Sequence, residues 1–307
     1  LMLVQENILS PRFGGPVIGG IHDYITGSFF LTHQNPLFTK DEAAVILSSI
    51  GDVDWPEPVE VDGEKFWGGK DLFSLSLPKE LNLAYKSSIC QKCDVCKKKD
   101  CDIDAYVLIR EGKLVRGTID EKALGAFKGQ ILDKITRDMG TDQGRLFLEM
   151  AIKMAVSAIM IHGFSTSIDD EDIPKDARMQ IQESLEQAAD KVRGYVDAYN
   201  DGTLEAMPGR SLAETLEVEA MRVLGKARDD AGQIASKYLG LENSAVVMAR
   251  SGARGSMLNL SQMAGCIGQQ AVRGGRLSRG YQDRTLPHFQ KGDLGAGAKG
   301  FVKSCYK

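Results

Sequence analysis

The chain has 307 residues, 43% of them hydrophobic, with 38 Lys and Arg set against 42 Asp and Glu for a net charge of −4. That excludes a disordered tail and a globally basic polyanion binder, so any nucleic-acid contact must come from local patches. No apolar run reaches the roughly 18 residues a membrane span needs, and Leu1-Met-Leu-Val opens without a basic segment or cleavage site, which predicts a cytoplasmic chain with no membrane partner.

The length suits about two domains. Residues 1–32 interleave short apolar runs with Ser10-Pro11, Gly14-Gly-Pro16, Gly19-Gly20 and Gly27, a pattern for short strands and turns rather than a long helix. Residues 40–50 read as a short helix, with Asp41 and Glu42 in the first turn where the helix dipole favours acid. From 52 to 77, Pro56, Pro58, Gly63, Gly68 and Gly69 punctuate short runs, again β-like, and Trp55 and Trp67 read as core or half-buried anchors.

Cys90, Cys93, Cys96 and Cys101 fall close together. Two-residue spacers turn successive thiolates toward one ion, which predicts a structural four-thiolate zinc site, with Lys92, Lys97, Lys98 and Lys99 offsetting its surplus negative charge. Disulfides, an iron–sulfur cluster and free thiols are the alternatives.

Further along, Ala105-Tyr-Val-Leu-Ile109 and Lys113-Leu-Val-Arg-Gly117 make a hairpin around Glu111-Gly112. A helix is predicted over 142–162, with Leu146, Phe147, Met150, Met154, Ala158 and Ile161 on its apolar face and His162 as an end cap or core residue. The clearest pattern is a pair of long helices spanning about 174–238. Pro174 suits a first turn, and Ile181, Leu185, Ala188, Val192, Tyr195 and Tyr199 repeat at helical spacing. Ser211 with Glu214 is a capping box opening the second helix, whose seam reads Leu212, Leu216, Ala220, Val223, Ala227, Ile234 and Tyr238. Joined by a short link, the two should pack antiparallel, with Glu183, Glu186, Asp190, Lys191, Glu217 and Arg222 on solvated outer faces.

Arg250-Ser-Gly-Ala-Arg-Gly-Ser256 follows. Gly252 and Gly255 flank Arg254, so the backbone can turn sharply and approach a ligand, and Ser256 is placed to cap a following helix. Free amides beside a guanidinium suit a phosphate, although so short a motif is more often an ordinary Gly-rich loop with a solvated arginine. The glycine-rich tail over 265–300, with Arg273, Arg276, Arg279, Arg284 and Lys291, has few apolar anchors and is expected to be mobile in isolation.

Ser251-Gly-Ala-Arg-Gly-Ser256, Asn259, Gln262, Met263 and Cys266-Ile-Gly-Gln-Gln270 together resemble the largest subunit of the multisubunit RNA polymerases. So do Asp283-Arg-Thr-Leu-Pro-His-Phe289, Lys299-Gly-Phe-Val302, Leu1-Met-Leu-Val-Gln-Glu-Asn-Ile-Leu-Ser-Pro11, Gly163-Phe-Ser-Thr-Ser-Ile-Asp-Asp170, Pro208-Gly-Arg210 and Lys226-Ala-Arg-Asp-Asp-Ala-Gly232. These blocks run in family order along nearly the whole chain and look most like the archaeal A-prime branch.

The resemblance implies an α+β fold: a mixed, β-rich pore domain over 1–165 carrying the cysteine insertion at 90–101, then a mainly helical funnel domain over 166–307 built on the long antiparallel hairpin. It also implies an excised fragment of a DNA-dependent polymerase, lining the secondary channel by which nucleotides reach the active centre. Arg254 matches the basic position that contacts the nucleoside triphosphate, arginine in bacterial members and lysine in eukaryotic ones. Arg228, Asn259, Gln262, Gln269 and Gln270 are implied channel residues. Among them Arg228, Gln269 and Gln270 match a fungal-toxin pocket of eukaryotic members, where Ala271 departs from the usual polar residue and puts toxin sensitivity in doubt. Magnesium ions of the parent enzyme would be held outside this stretch, so the fragment is expected to be inactive alone. Implied partners are the second-largest subunit, A-double-prime, DNA and RNA, and a transcript-cleavage factor docked on the funnel helices.

Two other classes remain. A free-standing, zinc-stapled helical-hairpin module that binds a partner accounts for the cysteines and paired helices but not for the ordered blocks. A phosphate-binding hydrolase built on the Arg254 loop lacks the Gly-Lys-Ser/Thr ending of a P-loop and a strong leading strand.

Overall fold

A computed structural model describes residues 2–90 and 101–304, which fall into two compact units. The first comprises Leu1–Ser165 and Val247–Gly255, and the second Thr166–Val246 and Ser256–Lys307. Helices and small antiparallel sheets together make an α+β protein. Among the described residues, no helix is long and apolar enough to cross a membrane.

The first unit opens with bends closed by a bridge between Leu9 and Pro16. Helix α1 (Asp23–Thr32) then corrects the strand-and-turn expectation for residues 1–32. It escapes periodicity because it is buried nearly all round against a later helix and has no polar stripe. Its buried hydroxyls are satisfied internally: Ser28 and Thr32 each donate to the carbonyl four residues back, at 2.8 and 2.7 Å.

Next come β1 (Leu37–Phe38), α2 (Lys40–Ser48), β2 (Val59–Val61) and β3 (Glu64–Gly68), the strands ordered β1-β3-β2. Helix α2 begins with a complete capping box between Thr39 and Glu42. Trp67 is buried with its indole N–H donating to the Pro56 carbonyl at 3.0 Å, edge-on to Trp55 at 5.3 Å. A short helix, α3 (Gly69–Ser74), interrupts the β-like stretch. Gly69 looks like a turn residue but is there for space: a Cβ would lie 1.8 Å from the Leu31 carbonyl oxygen.

Strands β4 (Leu83–Lys86), β5 (Tyr106–Arg110) and β6 (Lys113–Arg116) form the second sheet, with the expected turn at Glu111-Gly112. Helices α4 (Glu121–Leu124), α5 (Gln130–Met139) and α6 (Thr141–His162) complete the unit. Phe73, Phe147, Ile46, Ile109, Leu124 and Ile135 lie in its core. His162 ends α6 stacked on Phe30, with ring centroids 3.9 Å apart.

The second unit is organised by helices α7 (Lys175–Asn200) and α8 (Leu212–Tyr238), each about 40 Å long at 1.5 Å per residue. The Ser211–Glu214 capping box forms as the motif requires. On α7 the expected residues Ile181, Leu185, Ala188 and Val192 are buried. On α8 the buried line is Leu216, Ala220, Leu224, Ala227, Ala231 and Ala235, whereas Leu212 and Tyr238 are exposed. Ala220 and Ala227 lie on the expected seam, and Ala231 and Ala235 extend it, so that small side chains every three to four residues let the helices approach closely. After α9 (Ser244–Arg250) and α10 (Met257–Ala264) come short strands β7 (Gly268–Gln269), β8 (Ala271–Val272), β9 (Gly275–Arg276) and β10 (Phe301–Val302), paired β7–β10 and β8–β9.

Candidate functional site

The Arg254 turn is built from the end of α9. The Ser251 amide donates to the Val247 carbonyl at 2.9 Å, and the Arg254 amide reaches back to the Met248 carbonyl at 3.2 Å. Ser251 is fully buried, and its carbonyl accepts from the Glu121 amide at 3.0 Å, which ties the turn to the first residue of α4. Gly252 and Gly255 take φ of +82° and +75°. At Gly252 a side chain is excluded twice over, since a Cβ would also lie 2.4 Å from the Glu121 carboxylate.

This leaves the Arg254 side chain exposed, with Nη1 2.9 Å from Nε2 of His22, the residue before α1. Guanidinium nitrogens only donate, so Nε2 accepts and the imidazole carries its hydrogen on Nδ1. Among the described residues no carboxylate pairs with Arg254. Its charge is therefore open to an anion.

The other expected channel residues lie in the second unit. Ser256 caps α10, accepting from the Asn259 amide at 3.3 Å, while its hydroxyl donates to the Asn259 side-chain oxygen and turns that side chain back on the cap. Arg228 pairs with Asp229 at 2.7 Å, and its aliphatic stem covers Gly268, where a Cβ would meet Cδ at 2.7 Å. Arg228 and Gln262 both line a cavity of about 340 Å³ that also takes in Met257, Ser261 and Cys266. Asn259, Gln269 and Gln270 are not part of that lining. The Gln269 amide group donates to the carbonyls of Gln270 and Lys299, both at 2.7 Å, and its buried oxygen has no donor among the described residues. Gln270 is exposed, held by its backbone N–H to the Gly300 carbonyl at 2.9 Å. Burial pushes the Cys266 thiol up to about 11, leaving an unreactive group that donates to the Val302 carbonyl.

Of the four clustered cysteines, Cys93 and Cys96 lie outside the described residues. Cys90 and Cys101 are half-buried against Phe29, Ile89, Ala105 and Val247, and the Ala105 amide donates to the Cys101 sulfur at 3.4 Å. Each side of the insertion is fastened by a carboxylate that the sequence did not single out. On the near side, buried Asp120 accepts from the amides of Ser88 and Lys122. Burial raises its carboxyl to about 7, against the amides of Lys122, Ser88 and Ile89 and the Lys122 ammonium, which pull it down. On the far side, Asp104 accepts from the Lys70 ammonium at 2.6 Å, the Gly117 amide at 2.9 Å and the Gln34 amide at 3.1 Å. His33 joins through Thr118, whose hydroxyl lies 2.9 Å from Nδ1 and donates to the Asp104 carbonyl at 3.0 Å; burial is the main cause lowering the His33 imidazole. Among the described residues, no three His, Cys, Asp or Glu side chains converge on one point that would hold a metal.

The family described as RNA polymerase Rpb1, domain 3, matches residues 7–171, and RNA polymerase Rpb1, domain 4, matches residues 196–302. Curated archaeal proteins named DNA-directed RNA polymerase subunit Rpo1N are similar along the whole chain. Identity is 54% over 310 residues in Methanocaldococcus jannaschii, 52% over 308 in Methanothermobacter thermautotrophicus and 48% over 307 in Thermoplasma acidophilum. The chain spans 23%, 35% and 35% of those relatives' own lengths, respectively.

Proposed function

The chain belongs to the RNA polymerase Rpb1 family, and on that premise we propose that it serves an archaeal DNA-dependent RNA polymerase as the wall of the secondary channel through which nucleotides reach the active centre. The reaction of the whole enzyme is nucleotidyl transfer, in which the RNA 3′ hydroxyl attacks the α-phosphate of the incoming nucleotide and pyrophosphate leaves. Arg254 is the residue of this chain assigned to it. The observation that carries the assignment is an exposed guanidinium that pairs with no carboxylate among the described residues, presented on a turn whose two glycines take positive φ and whose Gly252 leaves no room for a side chain. Such a cation neutralises charge developing on the leaving pyrophosphate.

The magnesium ions such an enzyme uses would be held outside this stretch, so the stretch alone is expected to be inactive. Arg228 and Gln262 would contribute the channel wall beside their shared cavity, with Asn259, Gln269 and Gln270 nearby in sequence. The charged outer faces of α7 and α8 suit a transcript-cleavage factor. The second-largest subunit, A-double-prime, DNA and RNA would be further partners, in the cytoplasm.

Zinc at Cys90, Cys93, Cys96 and Cys101 is supported by the Ala105 amide donating to the Cys101 sulfur, as amides do to metal-bound thiolates. Elemental analysis should find one zinc per chain, lost in Cys90→Ser and Cys101→Ser. Iron, or no metal, would overturn that assignment.

The deciding experiment is Arg254→Ala in a reconstituted archaeal polymerase, with elongation rate followed against nucleotide concentration. The expected loss in nucleotide utilisation is about tenfold or more, roughly 1.4 kcal/mol of transition-state stabilisation. An unchanged rate in an intact assembly would reduce Arg254 to a turn residue.

A further inference from the structure

We infer that His22 is a positioning residue for nucleotide addition, holding the Arg254 guanidinium in the orientation that meets the triphosphate; the inference rests on the role proposed for Arg254. His22 stands 232 positions away in the chain, yet its Nε2 lies 2.9 Å from Nη1 of Arg254. Two features set it apart from a surface histidine that happens to touch an arginine.

The first is backbone conformation. His22 has φ of 50° and ψ of −118°, outside the wells a histidine ordinarily occupies, and such residues persist only where the surroundings over-determine them. Here the constraint is the start of α1. The His22 carbonyl accepts from the amides of Ile25 and Thr26 at 2.9 and 3.1 Å, and α1 is buried along most of its length. The position invites a side chain that caps the helix, but the imidazole makes no capping bond and reaches Arg254 instead.

The second is the chemistry of the partner. An arginine that must bind a polyanion needs orientation without neutralisation. A carboxylate would supply the first and cancel the second, whereas an imidazole accepting through Nε2 fixes one Nη and leaves the charge intact. The remaining Nη1 hydrogen, both Nη2 hydrogens and Nε–H are still available to phosphate oxygens. Ordering so flexible a side chain before the ligand arrives removes an entropy cost from binding. Both side chains are exposed, so the bond contributes little to folding.

The test uses the reconstituted polymerase carrying His22→Asn, His22→Gln, Arg254→Ala and the Arg254→Ala/His22→Asn double substitution. Asparagine suits positive φ but is too short to reach Nη1, while glutamine places an amide oxygen near the position of Nε2. His22→Asn is expected to lower nucleotide utilisation about two- to tenfold, chiefly as a raised KM for nucleotide, with assembly and melting temperature unchanged. His22→Gln should recover to within about twofold of the unsubstituted enzyme, and the double substitution should be no worse than Arg254→Ala. If Arg254→Ala is itself silent, the proposed function fails and this inference with it. A defective Arg254→Ala beside a silent His22→Asn, or additive losses in the double, would overturn the His22 role alone.

Discussion

Arg276, its side chain wholly buried, forks onto both carboxylate oxygens of Glu217, 59 residues earlier, at 2.9 and 3.0 Å. A third bond, 3.2 Å from Nη1 to the Leu294 carbonyl, ties the glycine-rich tail to itself and to α8. The sequence suggests Glu217 as part of a solvated helix face, but it is instead the tail's ionic anchor. Glu217→Gln strands a buried cation and is expected to cost about 3 kcal/mol, whereas Arg276→Lys keeps the charge, loses the fork and should cost about 1–2 kcal/mol. Denaturant unfolding of the two variants checks the order. Equal and small effects would mean that water reaches the guanidinium.

Gly252 and Gly255 share a positive φ but not a surrounding. A Cβ at Gly252 would lie 2.7 Å from the Glu121 Cβ, while one at Gly255 meets nothing within 4 Å among the described residues. Gly255→Ala should therefore cost only the backbone strain, about 1 kcal/mol, and Gly252→Ala about 2–4 kcal/mol from strain plus overpacking. Because Gly252→Ala also displaces the turn presenting Arg254, nucleotide utilisation should fall in that variant and stay near normal in the other. Melting curves and elongation assays on both decide it.

Asp120 makes stability depend on pH. Its carboxyl is raised from 3.8 to about 7 in the folded chain, so below about pH 4 it is protonated whether folded or unfolded and contributes nothing to the slope. Between about 4 and 7 the unfolded chain releases the proton that the folded chain holds. Stability therefore falls as pH rises through that window, by on the order of 4 kcal/mol at most. Asp120→Asn should flatten the slope there. An unfolding free energy that declines identically in both proteins would assign the dependence to other groups.

Along α8 the burial line predicts contrasting truncations. Leu224 is wholly buried against α7, and Leu224→Ala should cost about 2–4 kcal/mol through lost burial and a residual cavity. Leu212, 39% exposed, should cost under about 1 kcal/mol. Denaturant midpoints at unchanged slope provide the comparison.

Much of the fold is legible locally. The inward Phe147, Met154 and Ala158 of α6, the Ser211–Glu214 box and the Glu111-Gly112 hairpin turn are each written within a few residues, since helical periodicity, caps and turns act over that range, whereas Leu146, expected on the same α6 face, is exposed. Helix α5 carries the same kind of local signal: Ile131, Leu132 and Ile135 recur at helical spacing and face inward, and Gly140, with φ of 94°, ends it. Of the candidate site, the Gly252–Arg254–Gly255 turn and the Ser256 cap could be read from residue type alone.

By itself the sequence determined the family, the long helices, their caps and the glycine turn around Arg254, because each depends on neighbours in the chain or on ordered blocks of identity. Tertiary structure decided the rest. It made α1 a helix by burying it nearly all round, gave Glu217 its arginine, set Asp104 and Asp120 at the edges of the cysteine insertion, and brought His22 to Arg254. Those choices depend on which distant groups share a low-dielectric or crowded space, and no local propensity encodes a partner 232 residues away.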